Sequence, residues 1–124
     1  MDRRHLLSQR YVSIRVRLQL AKKTRDLALF NLAIDSKLRG CDLVNLRVRD
    51  IAHGARITPR AIVMQQKTHR PVQFEITEQT RTAIIDWTQH AQLRSEDFLF
   101  PSRTNSAKHL STRQYARIVK AWVT

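Results

Sequence analysis

An α+β fold, mainly helical with a small antiparallel β-sheet inserted after Arg39, is what this sequence predicts. Two patterns carry the expectation. Apolar residues recur at helical spacing over residues 24–35, 77–87 and 111–123. Between the first and second of these segments the period drops to two, as in "AIVMQQKTHRPVQFEI", which reads as two strands bending back near Thr68 to Arg70. The whole chain carries two glycines and three prolines, with no repeat and no low-complexity tract.

Residues 1–10 are polar and basic and read as a loose lead-in. Ile14, Val16, Leu18 and Leu20 then alternate with polar residues, which by pattern is a strand. "TRDLALFNLAID" opens with Thr24 as N-cap and Asp26 in the first turn, and it is apolar on nearly every side from Leu27 to Ile34, as a central helix must be. Asp35 and Ser36 end it, the chain reverses over 37–40, and a short helix follows over 41–46 with Leu43 and Leu46 on one face. Arg47 to Ile51 reads as a strand and "HGAR" as a turn. In the hairpin Pro71 suits the start of an edge strand, while Val72, Phe74 and Ile76 supply the inward face. Thr77 caps the next helix, whose buried side is Ala83, Ile84 and Trp87. "SEDFLFPS" is a short apolar insertion. In "STRQYARIVKAWV", Ser111 and Gln114 make a capping box; Tyr115, Ile118, Val119 and Trp122 line one face and Arg113, Arg117 and Lys120 another.

The 124 residues make one domain or part of one, long enough to bury a sizeable core. With 42% hydrophobic and 27% charged residues the chain is globular in composition. No apolar run approaches the ~18–20 residues of a membrane helix, and the N-terminus has no apolar stretch of the kind a signal peptide needs. The lone Cys41 has no disulfide partner and no metal-ligand spacing around it, which fits a reducing cytosol. Charge is the strongest global signal: 23 Lys and Arg against 10 Asp and Glu, a net +13, point to a polyanionic partner, first of all nucleic acid.

The residues around Arg39 sharpen that. "K-L-R-G-C-D-L-V-N-L-R-V-R-D-I", residues 37–51, is similar to a box "G-L-R-x-x-E-L-x-x-L-x-x-x-D-I", matching at Leu38, Arg39, Leu43, Leu46, Asp50 and Ile51, with Asp42 in place of glutamate. "QQKTHRPVQFEI" places Lys67 and Thr68 where a hairpin bend of the "K-T-G-K" type would stand, and "LFPS", Leu99 to Ser102, precedes a helix of the "STRQYARIVKAW" kind. Four such motifs in this order resemble the catalytic domain of the tyrosine recombinases, the phage integrase family, over about residues 22–124. Residues 1–21 then form a basic N-terminal lead-in, and the resemblance implies a helix over 14–20, against the alternation.

What the resemblance implies about chemistry is specific. Strand cleavage by a tyrosine passes through a pentacoordinate phosphorane, and a guanidinium in a fixed fork can donate two charge-assisted hydrogen bonds to its non-bridging oxygens. Arg39 would take that role, helped by the positive end of the short helix beside it, with Asp42 orienting it or capping the helix. Lys67 would protonate the leaving 5′-oxygen, since an ammonium can give up a proton where a guanidinium cannot. Lys37, Arg47, His69, Arg70, Arg113, Arg117 and Lys120 would contact double-stranded DNA. Without the resemblance, Arg39 is a junction cation, Lys67 a solvated turn lysine and the α-helical Arg/Lys stripe an outer face.

The activity implied is DNA integration and recombination through a phosphotyrosyl intermediate, without metal or nucleotide cofactor, in a bacterial or phage-encoded cytoplasmic protein at the nucleoid. An "H-x-x-R" box and a late tyrosine complete the family's site. "HGAR", His53 to Arg56, has the spelling but stands before the hairpin, and Tyr11 and Tyr115 are not placed as nucleophiles. The expectation is therefore a partial catalytic domain acting with other copies or with a full-length recombinase, and not at a membrane. Two other classes remain open at this point: a non-catalytic basic DNA-binding module and an RNA- or ribosome-associated protein.

Overall fold

The computed structural model describes residues 3–105 and 107–123. Six helices and two hairpins follow one another as α1 (Arg3–Leu20), α2 (Thr24–Ser36), α3 (Gly40–Val44), α4 (Val48–Ile51), β1 (Ala52–His53), β2 (Arg56–Ile57), β3 (Arg60–Met64), β4 (Pro71–Glu75), α5 (Glu78–His90) and α6 (Thr112–Trp122). The expected α+β architecture is the one observed.

α2 is the centre. Ala28, Leu29, Phe30 and Leu32 are buried on it, and α1, α5 and β4 all pack against it. It begins one residue away from the expected cap: Lys23 is the N-cap and makes no side-chain capping bond, while the Thr24 hydroxyl donates back to the Lys22 carbonyl at 3.5 Å. It ends on Lys37, held in the left-handed region at φ 55° with its N–H on the Ala33 carbonyl. That conformation is uncommon away from glycine and turns the chain sharply. The Ser36 hydroxyl accepts the Leu38 amide at 3.2 Å, which fixes the approach to Arg39.

Over 14–20 the helix that the resemblance implies is the one observed, against the alternation, and the strand expected over 47–51 is corrected. Residues 14–20 form the end of α1, and the helix reaches back through most of the expected lead-in. Only Ile14 and Leu18, four apart, are buried; Val16 and Leu20 are 44% and 80% exposed. Alternation in the sequence was thus a poor guide, because half of the apolar residues face solvent. Arg47 to Ile51 is not a strand either. The Asp50 carboxylate accepts the Arg47 amide at 2.8 Å, and Val48 and Ile51, three apart, go inside as one helical turn. The extended character survives only at its entry, where the Val48 amide donates to the Asp97 carbonyl and Arg47 bridges to Phe98.

"LFPS" threads under this turn. The Leu99 amide donates to the Leu46 carbonyl at 2.8 Å, and the Leu99 carbonyl accepts the Trp87 indole N–H at 2.7 Å. Leu99 and Phe100 are fully buried. The same segment therefore links the Arg39 region to α5. At the other end of α5, Asp35 accepts both the amide and the hydroxyl of Thr77 at 2.9 Å, so α2 and α5 are joined where one ends and the other begins.

The Ser111–Gln114 capping box is present in both directions at 3.0 Å and starts α6. Trp122 is buried edge-on against Phe30, with ring centroids 5.3 Å apart, and its carbonyl accepts a hydrogen bond from Arg17 on α1. The N-terminal helix thus covers the end of α6. An apolar cleft of about 470 Å³ remains beside it, lined by Phe30, Ile34, Tyr115 and Val119 among others.

The helical register of α1 has a direct test. Leu18→Ala is expected to destabilise the protein by ~2–5 kcal/mol, as a buried truncation does, and Leu20→Ala by less than ~0.5 kcal/mol. Urea unfolding of the two variants measures both; equal losses would restore the strand reading.

Candidate functional site

Arg39 is the N-cap of α3, with φ −66° and ψ 154°, and its carbonyl accepts the amides of Asp42 and Leu43 at 3.0 and 2.9 Å. Its backbone is therefore fixed while its side chain is exposed, and the guanidinium makes no hydrogen bond or ion pair among the described residues. Gly40 beside it has a packing reason. A Cβ there would stand 3.0 and 3.2 Å from two carbons of the Tyr115 ring. Glycine lets α6 lie directly on the Arg39 turn, and Tyr115 is the residue that does so. Its phenol is pushed above its ordinary pKa by burial.

α3 has only five residues, so it offers one turn of dipole and little of the field expected from a helix start. Asp42 does something else as well. It is 4% exposed, and its Oδ1 accepts the backbone amide of Gln66 at 3.0 Å. No ion pair between Asp42 and Arg39 is present among the described residues. The carboxylate holds the hairpin loop to the Arg39 turn.

Lys67 follows Gln66. β3 and β4 pair in antiparallel register, with Met64 opposite Pro71, and the loop between them is closed by the Gln65 amide on the Arg70 carbonyl at 2.9 Å. Within it the Thr68 hydroxyl donates to Gln65 Oε1 at 2.8 Å and His69 takes a left-handed φ of 53°. Lys67, His69 and Arg70 are exposed. Asp42 thus joins the segment carrying Arg39 to the segment carrying Lys67, His69 and Arg70.

The other expected cations divide. Lys37, Arg113, Arg117 and Lys120 are exposed. Arg47 is committed elsewhere: its guanidinium donates to the Glu96 carbonyl at 2.6 Å and lies 4.0 Å from the Phe98 ring centroid. His53 and Arg56 face each other across β1 and β2, an exposed hairpin with no part in the Arg39 turn. Tyr11 packs edge-on against Phe30 at 6.2 Å. Sequence reasoning missed two links, the Asp42–Gln66 bond and the Gly40–Tyr115 contact. The second had a signal, since one of only two glycines stands beside Arg39.

The phage integrase family model matches residues 7–124. The chain belongs to that family. A comparison with curated proteins gives no match. Among solved structures, the crystal structure of XerA recombinase is similar with a TM-score of 0.76 at 15% identity, over 94% of this chain and 40% of XerA. At that identity the likeness speaks for the fold, and this chain spans well under half of the XerA chain. The family match also begins inside α1, ahead of residue 22 where the resemblance read from the sequence begins. Among the described residues no helix is long and apolar enough to cross a membrane.

Burial of Tyr115 gives a pH dependence. The native state holds the phenolic proton more tightly than the unfolded chain, so this contribution is intact below about pH 10 and is lost as pH rises through the higher native value. Urea unfolding on both sides of that range is expected to show an alkaline loss of stability that is smaller in Tyr115→Phe. Identical pH profiles in the two proteins would contradict it.

Proposed function

We propose that this chain is a DNA-binding part of a phage-type tyrosine recombinase, in which Arg39 and Lys67 act on one phosphate. The observation that carries it is the Asp42–Gln66 bond, which ties together two exposed cations from distant parts of the sequence. Arg39 would donate its fork to the non-bridging oxygens as the attacking tyrosine oxygen bonds to phosphorus. Lys67 would pass a proton to the 5′-oxygen as the P–O5′ bond breaks. Asp42 supports both by position. Lys37, His69, Arg70, Arg113, Arg117 and Lys120 supply backbone contacts on double-stranded DNA, and the attacking tyrosine and second arginine come from recombinase sequence outside these 124 residues. Arg47 drops out of the DNA-facing set because its guanidinium is engaged. This role places the protein at the nucleoid, in the cytoplasm.

Duplex binding should be weak, nearly sequence-blind and sensitive to salt. With about four phosphates contacted, log affinity falls against log salt with a slope near −3.6. Arg39→Ala and Lys67→Ala should each make the slope shallower by about 1, while Arg47→Ala leaves it unchanged. Fluorescence anisotropy across a salt series measures all four proteins. Binding that ignores salt, or a strong preference for structured RNA, would sink the proposal.

A further inference from the structure

On the flank of α6 away from Val119 lies a second cleft, about 600 Å³ in volume, between α6, the end of α1 and the start of α2. Its rim is basic: Arg17, Lys23, Arg25, Arg103 and Arg117 face a single acid, Asp26. Asp26 is already paired with Arg25 at 2.9 Å, so the rim keeps a large excess of positive charge. The floor is apolar, with Leu18, Leu110 and Ile118 running up to Trp122. Trp122 is 7% exposed, and its indole N–H has no acceptor among the described residues. That nitrogen is itself buried, and Trp122 borders both this cleft and the 470 Å³ one, so the indole stands as a reporter at the edge of the groove. Lys23, Arg25, Asp26 and Arg103 also line an adjoining cleft of about 440 Å³ that reaches Trp87 and His90, so the basic rim continues as a groove. Of the residues proposed to meet DNA only Arg117 lines these clefts; Arg39, Lys67, His69 and Arg70 do not.

We propose that this groove docks an acidic, apolar peptide segment of a partner protein. Its apolar side chains would cover the Leu18–Ile118 floor and its carboxylates would meet the rim, beside the Trp122 indole. The chemistry of the floor separates a peptide from nucleic acid. Bases bind by stacking on exposed aromatic faces, and phosphates gain nothing from an aliphatic floor. A second copy of this chain is the wrong partner electrostatically, since it would bring its own net +13 against a basic rim.

The test uses the full chain, nitrogen-15 labelled, titrated with a short synthetic amphipathic peptide of glutamate and leucine. The Trp122 indole N–H resonance is expected to shift on binding. Lys23→Glu/Arg103→Glu should weaken the peptide about ten-fold or more, whereas the charge-matched control Arg49→Glu/Arg56→Glu should change it less than about two-fold. Equal weakening in both double variants would mean general attraction to a basic protein and would overturn the assignment. So would an indole resonance that stays still at saturating peptide, or one that moves with a DNA duplex and not with the peptide.

Discussion

The hydrogen bond from the Gln66 amide to the buried Asp42 carboxylate is the constraint on which the site depends. A two-stranded hairpin is marginal on its own in water, and a loop at its tip would sample many positions. Burial makes the bond directional in its demands. A carboxylate 4% exposed needs donors, and the loop amide provides one. Lys67 is thereby held through its neighbour to the turn that carries Arg39, while its own side chain stays exposed.

That bond is useful only because α3 is itself fixed. Gly40 admits the Tyr115 ring against the turn from one side, and Leu43 and Val44 are fully buried on the other. Leu46 then passes the constraint on, since its carbonyl accepts the Leu99 amide and Leu99 in turn accepts the Trp87 indole. Arg39 sits at the surface end of a continuous packed path running back through α5 to α2. Loss of any buried member of that path should be felt at the turn before it is felt in the guanidinium.

Much of this was legible in the sequence. α2, α5 and α6 followed from apolar spacing, the β3–β4 hairpin from its change of period, and α6 from its capping box, because each signal is local and the tertiary structure agrees with it. The misreadings have physical causes. Over 14–20 the alternation pointed to a strand and the resemblance to the helix observed, because α1 carries Val16 and Leu20 toward solvent and so imitates a half-buried strand. α4 is a single turn held by one carboxylate, shorter than any period can reveal. Lys23 caps α2 without a side-chain bond, which no residue preference could signal. In the candidate site, motif order singled out Arg39, Asp42 and Lys67, but the bond between Asp42 and a backbone amide 24 residues away leaves no trace in residue identity. Arg47 looked as available as Arg39 until the Glu96 carbonyl and the Phe98 ring were seen to hold it.

Hydrogen exchange at the Gln66 amide, compared with amides of α2 in the same sample, tests the central claim most directly. In the wild-type chain Gln66 should be protected well beyond its loop neighbours. In Asp42→Ala its exchange should rise about ten-fold or more, while the α2 amides, as an internal reference, change far less. A Gln66 amide that exchanges as fast as the rest of the loop in the wild type, or one whose protection falls only in step with α2, would show that Asp42 does not hold Lys67 to the Arg39 turn.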